Sequence, residues 1–128
     1  MLEPSIDCYG LYVRLFDDEI LIIDCREARP DDSYAVQIPG ALAMCFDELA
    51  ESLHIIPDDE LIVLCGCAPD GSDSRKASRL LRTRGREAVC LQGGLPAWIA
   101  GGYPTEPCSR GGRRQPDLGQ MAFAAGQG

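Results

Sequence analysis

The sequence predicts an α/β domain with a largely parallel sheet and helices on both of its faces. Three short apolar runs, at 20–23, 61–64 and 88–91, have the composition of strands that are buried on both sides. Segments with helical spacing lie between them, and parallel strands require such crossover connections. A chain of 128 residues that is 45% hydrophobic is long enough for one domain of this kind.

The N-terminal part of the chain predicts a helix followed by the first strand. Ser5-Ile6-Asp7 can cap a helix that continues to Phe16, because Leu11, Leu15 and Phe16 share one apolar face. The acidic run after Phe16 ends this helix, and the strand follows. The next elements are marked by turn residues: a loop at 29–33, a turn at 38–40, a strand at 41–44, a helix at 47–53 and a turn at 57–59.

The second half of the chain repeats strand and helix around a polar loop. The strand at 61–64 ends at Cys65, and the loop leads into a helix from about Asp73 to Arg84, with Ser72 as its N-cap. The strand at 88–91 and a short helix containing Trp98 complete the domain, which we expect to cover residues 1–107. Residues 108–128 show no hydrophobic period and are predicted to form a disordered tail.

Composition excludes several classes of protein. Twelve basic and 20 acidic residues give a net charge of −8, so the chain has no general attraction to nucleic acid. No apolar run approaches the roughly 20 residues of a membrane span, and no secretory signal is visible. An odd number of cysteines, seven, predicts a reducing, cytoplasmic setting. With one histidine and a Cys-x-Cys spacing, neither a zinc site nor a redox pair is expected.

Cys65 stands where a predicted strand meets a glycine-containing loop and a helix start. The loop amides and the helix N-terminus together can form an anion cradle, which would stabilise a thiolate and lower the pKa of Cys65. Gly66 and Gly71 allow the backbone to turn its N–H groups inward. A buried structural cysteine beside an ordinary turn fits the same pattern.

Five segments, in order along residues 5–106, resemble the rhodanese-like domain family. The strand end Asp24-Cys25-Arg26 is similar to the family's Asp-x-Arg, and the segment ending in Ile38-Pro39-Gly40-Ala41 is similar to its His-Ile-Pro-Gly-Ala motif. The strand 61–65 resembles the one that delivers the catalytic cysteine. The fourth segment, 74–77, resembles the start of the helix after the active loop. The fifth, 91–98 together with 102–104, resembles the family's closing stretch with its Gly-Gly, Trp and Gly-Tyr-Pro.

The resemblance implies a three-layer fold with about five strands and sulfur transfer as the activity. Cys65 would take a sulfane sulfur from a donor, hold it as a persulfide and pass it to a thiol or cyanide. Asp24 and Arg26 would brace the loop. No metal or cofactor is implied, and the partners would be small sulfur compounds or a protein thiol or persulfide. The residues that would bind substrate are Gly66, Cys67, Ala68, Pro69, Asp70, Gly71, Ser72 and Arg75.

The loop departs from the family pattern in ways that bear on the donor. It is longer than the usual active loop and resembles the Cys-x-Cys-Pro loops of one subset. Asp70 and Asp73 bring negative charge close to Cys65, which would raise its pKa and disfavour the dianion thiosulfate. We therefore expect an organic or protein-bound persulfide as donor. Gln37 replaces the family's histidine at a position that we interpret as structural.

Several roles stay open at this level. Cys67 could resolve the persulfide, act as the nucleophile or be a bystander, and Arg75 could reach the substrate anion or pair with Asp70 or Asp73. A catalytically idle binding or regulatory domain is an alternative function. A cysteine-dependent phosphatase or arsenate reductase is less favoured, because Arg75 follows Cys65 at the wrong spacing. The expected assembly is a monomer or weak dimer.

Overall fold

The structure, a computed structural model, describes residues 4–26 and 35–108. The predicted loop at 29–33 and residues 109–128 of the predicted tail lie outside the described residues. A turn of 3-10 helix, Leu53–Ile55, precedes the central strand. The strands and helices, in chain order, are β1 Ser5–Ile6, α1 Cys8–Tyr12, β2 Ile20–Asp24, β3 Val36–Gln37, β4 Leu42–Ala43, α2 Phe46–Glu51, β5 Leu61–Cys65, α3 Ser72–Thr83, β6 Glu87–Leu91, α4 Gly94–Ala100 and β7 Glu106–Pro107.

Five of the strands form one parallel sheet in the order β1-β6-β5-β2-β4. β5 lies at the centre, with β2 and β6 as its neighbours. The register between β2 and β5 runs from Ile20 opposite Leu61 to Asp24 opposite Cys65. The carboxyl ends of these two strands therefore meet at one edge of the sheet, where ligands bind in folds of this class. The predicted parallel α/β sheet of about five strands is confirmed.

Two hydrophobic layers cover the two faces of the sheet. Successive side chains of β5 point to opposite faces, so Val63 joins the layer of α1 and α4 while Ile62 joins that of α2 and α3. Leu11, Leu95 and Trp98 anchor the first layer. Leu49 and Leu81 anchor the second. The prediction of helices on both faces is confirmed.

The N-terminal helix is shorter than predicted. Ser5 and Ile6 form β1, and the helix covers only Cys8–Tyr12, with the Asp7 carboxylate accepting from the backbone N–H of Gly10 at 2.7 Å. The prediction that the helix continues to Phe16 and that Phe16 shares an apolar face with Leu11 and Leu15 is wrong, because the helix ends at Tyr12 and the Phe16 side chain is 84% exposed. β1 was missed because a two-residue strand leaves no alternation to detect.

A second, two-stranded sheet joins the middle of the chain to its C-terminal part. β3 pairs antiparallel with β7, so that Gln37 lies opposite Glu106. The buried Gln37 amide donates to the backbone O of Ala41 at 3.2 Å and to Glu106 Oε2 at 2.9 Å. These contacts agree with a structural role for Gln37.

Candidate active-site loop

Cys65 is the last residue of the central strand and is fully buried. Its backbone O accepts from the backbone N–H of Cys25 at 2.9 Å, and the Cys25 thiol lies 3.4 Å from the same oxygen. The next residue, Gly66, accepts through its backbone O from the N–H of Leu95 at 2.8 Å. The chain leaving Cys65 is therefore held by the end of β2 on one side and by the start of α4 on the other.

The loop turns back on itself before α3 begins. The N–H of Gly71 donates to the backbone O of Ala68 at 3.0 Å, and Gly71 has a positive φ of 74° that favours glycine. Gly71 is also the N-cap of α3, and Ser72 is its first helical residue. The prediction of Ser72 as N-cap is therefore wrong by one position, because the sharp turn requires the left-handed backbone at Gly71.

A carboxylate from α3 occupies the loop. Asp73 Oδ2 accepts from the backbone N–H of Cys67 at 2.9 Å and of Ala68 at 3.1 Å, while Oδ1 accepts from Ser74 at 2.8 Å. The carboxylate also lies against Gly66, where a Cβ would overlap it. The amides that were expected to hold a substrate anion thus donate to the protein's own carboxylate in this conformation.

The surroundings of Cys65 favour its neutral thiol. Burial raises the pKa of Cys65 well above its usual value, and the Asp24 carboxylate raises it further. Arg26 acts in the opposite direction, and Asp73 adds to the rise. The expectation that the loop lowers this pKa is wrong for this conformation, mainly because the thiol is buried, and the carboxylates of Asp24 and Asp73 add to the effect. Burial likewise raises the pKa of Cys25.

Asp24 and Arg26 form a buried ion pair next to Cys65. Arg26 Nε lies 3.1 Å from Asp24 Oδ2, and both side chains are at most 1% exposed. The guanidinium also donates to the backbone O of Val36 at 2.9 Å and to Cys108 Sγ at 3.1 Å. Asp24 lies opposite Cys65 in the sheet register. The pair joins the end of β2 to β3 and to the chain beyond β7.

Arg75 contacts the loop through the backbone rather than through a carboxylate. Its Nη1 donates to the backbone O of Asp70 at 3.1 Å. The Asp70 carboxylate instead accepts from the N–H of Ser72 at 3.0 Å, and hydrogen bonds from Ser72 lower the pKa of Asp70. Arg75 in this arrangement fastens the turn between Asp70 and α3.

Two cavities flank the loop, and Cys65 lines neither of them. The first, which we call the lysine-side cavity, has a volume of about 300 Å³ and is lined by Cys25, Phe46, Cys67, Ala68, Ser72, Asp73 and Lys76. The second, the glycine-side cavity, has a volume of about 330 Å³ and is lined by Gly66, Ala68, Pro69, Asp70, Gly71, Asp73, Ser74, Leu91, Gly93, Gly94 and Pro96. The predicted substrate-binding residues from 66 to 72 each line one cavity or both, whereas Arg75 lines neither.

Comparison with known proteins identifies the family. The sequence profile described as Rhodanese-like domain matches residues 10–101. The chain belongs to the rhodanese-like domain family.

Relatives of this rhodanese-like domain include a regulator and several solved structures. The chain is 32% identical over 111 residues to the HTH-type transcriptional regulator Rv0324 of Mycobacterium tuberculosis, covering 81% of this chain and 45% of that protein. The chain thus spans less than half of that curated relative. A rhodanese-related protein from Thermoplasma volcanium is 26% identical, with a TM-score of 0.69 and coverage of 80% of this chain and 97% of that one.

A thiosulfate sulfurtransferase from Pseudomonas aeruginosa has the same TM-score of 0.69 at 27% identity, covering 83% of this chain but 20% of that one. A protein from Bacillus halodurans, BH2092, is 18% identical with a TM-score of 0.72, covering 82% and 77% of the two chains, and shows the shared fold alone.

Two residues of the rhodanese-like domain that line the lysine-side cavity escaped the sequence analysis, Phe46 and Lys76. The signal for Lys76 was present, because it is the only lysine in the chain and lies one helical turn after Asp73. Phe46 comes from α2, and only the packing of α2 on α3 brings it there. Within residues 4–26 and 35–108, no cluster of His, Cys, Asp or Glu is placed to hold a metal ion. No helix in the same ranges is long and apolar enough to cross a membrane.

Proposed function

We propose that this rhodanese-like domain is a sulfurtransferase that carries a sulfane sulfur as a persulfide on Cys65. The observation that carries the proposal is the geometry of the loop after Cys65. The backbone N–H groups of Cys67 and Ala68 converge on one anionic oxygen, which Asp73 now supplies. A loop that binds an anion directly beyond a strand-end cysteine suits a persulfide anion as well.

The proposed reaction consists of two displacements. The Cys65 thiolate attacks the outer sulfur of a persulfide donor, a new S–S bond forms, and the donor leaves as a thiolate that takes up a proton. A thiol or cyanide acceptor then attacks the terminal sulfur of the Cys65 persulfide, and the Cys65 thiolate is released. Sulfur is passed on without net oxidation, and ping-pong kinetics follow.

The charge around Cys65 favours an organic or protein-bound persulfide over thiosulfate. Asp73 already fills the anion position, and Asp70 adds an exposed carboxylate to the same loop. Thiosulfate carries both of its charges on the few atoms that must approach this loop, whereas an organic persulfide carries no sulfonate group next to its transferred sulfur. The Cys65 persulfide can take the place of the Asp73 carboxylate only if the start of α3 moves away from the loop near Gly66.

A regulatory domain without turnover is the second candidate. It is supported by the complete burial of Cys65, which lines neither cavity. The relative that is named as a transcriptional regulator supports the same alternative. In this case the persulfide would form slowly on Cys65 and persist as a signal for a protein partner.

We further propose a cytoplasmic location, a domain over residues 1–107 and a monomer or weak dimer.

Mass spectrometry of the reduced full chain tests the proposal. The chain is treated with thiosulfate or with a small organic persulfide, and Cys65→Ser and Cys67→Ser are treated in parallel. We expect one added sulfur from the persulfide, its removal by cyanide, its loss in Cys65→Ser and its retention in Cys67→Ser. Added sulfur that cyanide does not remove supports the regulatory alternative. Equal labelling of Cys65→Ser and the natural chain contradicts both functions.

A further inference from the structure

The lysine-side cavity combines groups that a small charged thiol compound would need. Two cysteine side chains, Cys25 and Cys67, form part of its wall next to the strand that ends at Cys65. The half-buried ring of Phe46 supplies an apolar surface. The Ser72 hydroxyl and the Lys76 ammonium supply polar groups. A volume of about 300 Å³ is at the small end of ligand cavities and suits a molecule of amino-acid size.

Lys76 brings a positive charge to this cavity. Its ammonium lies 4.4 Å from the centre of the Phe46 ring. In the part of the chain that the structure describes, no carboxylate lies within ion-pair distance of this ammonium. The Asp73 carboxylate lines the same cavity but accepts hydrogen bonds from the backbone N–H groups of Cys67, Ala68 and Ser74. Lys76 therefore has its charge available for a ligand.

The glycine-side cavity has the opposite character. Its charged lining consists of Asp70 and Asp73, and its remaining lining residues are glycine, alanine, proline, serine and leucine. An anionic ligand would be repelled there, because the two carboxylates face it without a cation among the lining residues. Of the two cavities beside the loop, only the lysine-side cavity has a cation in its lining.

We propose that the lysine-side cavity binds a small organic thiol or persulfide that carries a carboxylate, and that Lys76 is the residue that binds this carboxylate. The sulfur end of the ligand then lies against Cys67 and Cys25, and Cys25 is the residue whose backbone N–H donates to the backbone O of Cys65 at 2.9 Å. The proposal rests on the proposed sulfurtransferase function for the identity of the ligand, and it adds the substrate class and a specificity-determining residue.

Two donors that differ by one charge test the assignment in the full chain. N-acetylcysteine persulfide carries the carboxylate, and N-acetylcysteine amide persulfide lacks it. We expect the natural chain to have a KM about tenfold lower for the acid than for the amide, the size of one charge-assisted contact at an exposed site. Lys76→Met removes this preference by raising the KM for the acid, while kcat and the KM for the amide stay within about twofold.

Arg79→Met is the matched control, because it removes the same charge from an exposed position of the same helix that does not line the cavity. It is expected to keep the preference for the acid. Equal KM values for the two donors in the natural chain overturn the proposal, and so does an unchanged acid preference in Lys76→Met.

A second measurement does not depend on sulfur transfer. S-methylated N-acetylcysteine and its amide have no sulfur to give, so they only occupy the cavity. We expect the acid, and not the amide, to slow the alkylation of Cys67 by iodoacetamide in the natural chain at least fivefold at saturation. Lys76→Met is expected to lose this protection. If the acid protects Cys67 but neither persulfide transfers sulfur, the sulfurtransferase function is refuted and the carboxylate site stands. If sulfur is transferred but the acid does not protect Cys67, the site is refuted and the sulfurtransferase function stands.

Discussion

The Asp73 carboxylate lies 2.9 Å from the backbone nitrogen of Cys67 and accepts its N–H. The protein thus places one of its own anions where a loop of this kind could hold the anion of a substrate. The bond links the first turn of α3 to the loop only two residues after Cys65. Any movement of the loop away from α3 would therefore break this bond.

Asp73→Asn is expected to make Cys65 more reactive. Removing the negative charge lowers the pKa of Cys65, although burial, the largest cause of the raised pKa, still holds it above the ordinary 9.0. At a fixed pH between 7 and 9 the alkylation rate of Cys65 should rise severalfold, as followed by peptide mass spectrometry. Asp70→Asn, a change at an exposed residue of the same loop, should have little effect. Equal rates in the natural chain and in Asp73→Asn would contradict the argument.

Gly66→Ala is expected to destabilise the domain because of Asp73. The added Cβ overlaps the Asp73 carboxylate, so the variant should lose about 1–3 kcal/mol in its free energy of unfolding. In an Asp73→Ser background the shorter side chain leaves room, and the cost should fall by more than about 0.5 kcal/mol. Urea unfolding of the two single variants and the double variant measures this coupling. Additive costs would mean that the overlap with Asp73 is not what requires glycine at this position.

Arg26→Met is expected to be strongly destabilising. It leaves the buried Asp24 carboxylate without its ion-pair partner 3.1 Å away, and breaking a buried pair typically costs about 3–5 kcal/mol. Arg14→Met breaks the partly exposed pair with Asp17 and should leave the unfolding midpoint almost unchanged. Denaturant titration of the two variants compares them. A similar small effect for both would show that the Asp24–Arg26 pair does not hold the end of β2.

Stability is expected to fall at alkaline pH. The pKa values of Cys25 and Cys65 are raised in the folded state above 9.0, mainly by burial, so the unfolded chain loses these protons first. The contribution of each thiol to stability is therefore intact below pH 9 and declines as the pH rises above it, by up to about 1.4 kcal/mol per pH unit. Thermal unfolding at pH 7.5, 9 and 10 measures the decline.

Cys25→Ala is the matched variant for this pH dependence. It removes one of the two buried thiols, so its Tm should decline less steeply with pH even if its Tm at pH 7.5 is lower. Parallel pH profiles for the variant and the natural chain would contradict the assignment to Cys25.

The sequence predicted the central part of the fold well because local pattern and burial agree there. The run 61–64 is apolar on every position, as expected for a strand with helices on both sides, and the structure places it at the sheet centre. The two-residue strands β1, β3 and β7 are defined by pairing with residues far away in the chain, so no local sequence pattern predicts them. Phe16 lies five residues after Leu11, a spacing that does not keep two side chains on one face of a helix, and the helix ends before it.

The sequence indicated which residues lie near Cys65, but not the contacts that they make with one another. The order of strand, loop and helix in the sequence predicted that Cys65, the loop and α3 lie together, and it indicated that Asp73 brings negative charge to them. It did not reveal that Asp73 folds back to accept from Cys67 and Ala68, because this depends on the turn at Gly71. Nor did it reveal the lysine-side cavity, whose wall includes Phe46 from a different helix.

The pairing of Ser5 with Cys90 has a consequence for the order in which the nascent chain folds. β2, β4 and β5 are neighbours in the sheet and close in the chain, whereas among the described strands β1 pairs only with β6, at the other end of the domain. Such a long-range pairing is slow to form, because the intervening chain must first be synthesised and closed into a loop. Until β6 is made, the strand that ends at Cys65 has an open edge, and until β1 pairs with β6 the open edge is that of β6. An open edge invites mispairing with other chains. β1, although it precedes the other described strands in the chain, is therefore expected to join the sheet last.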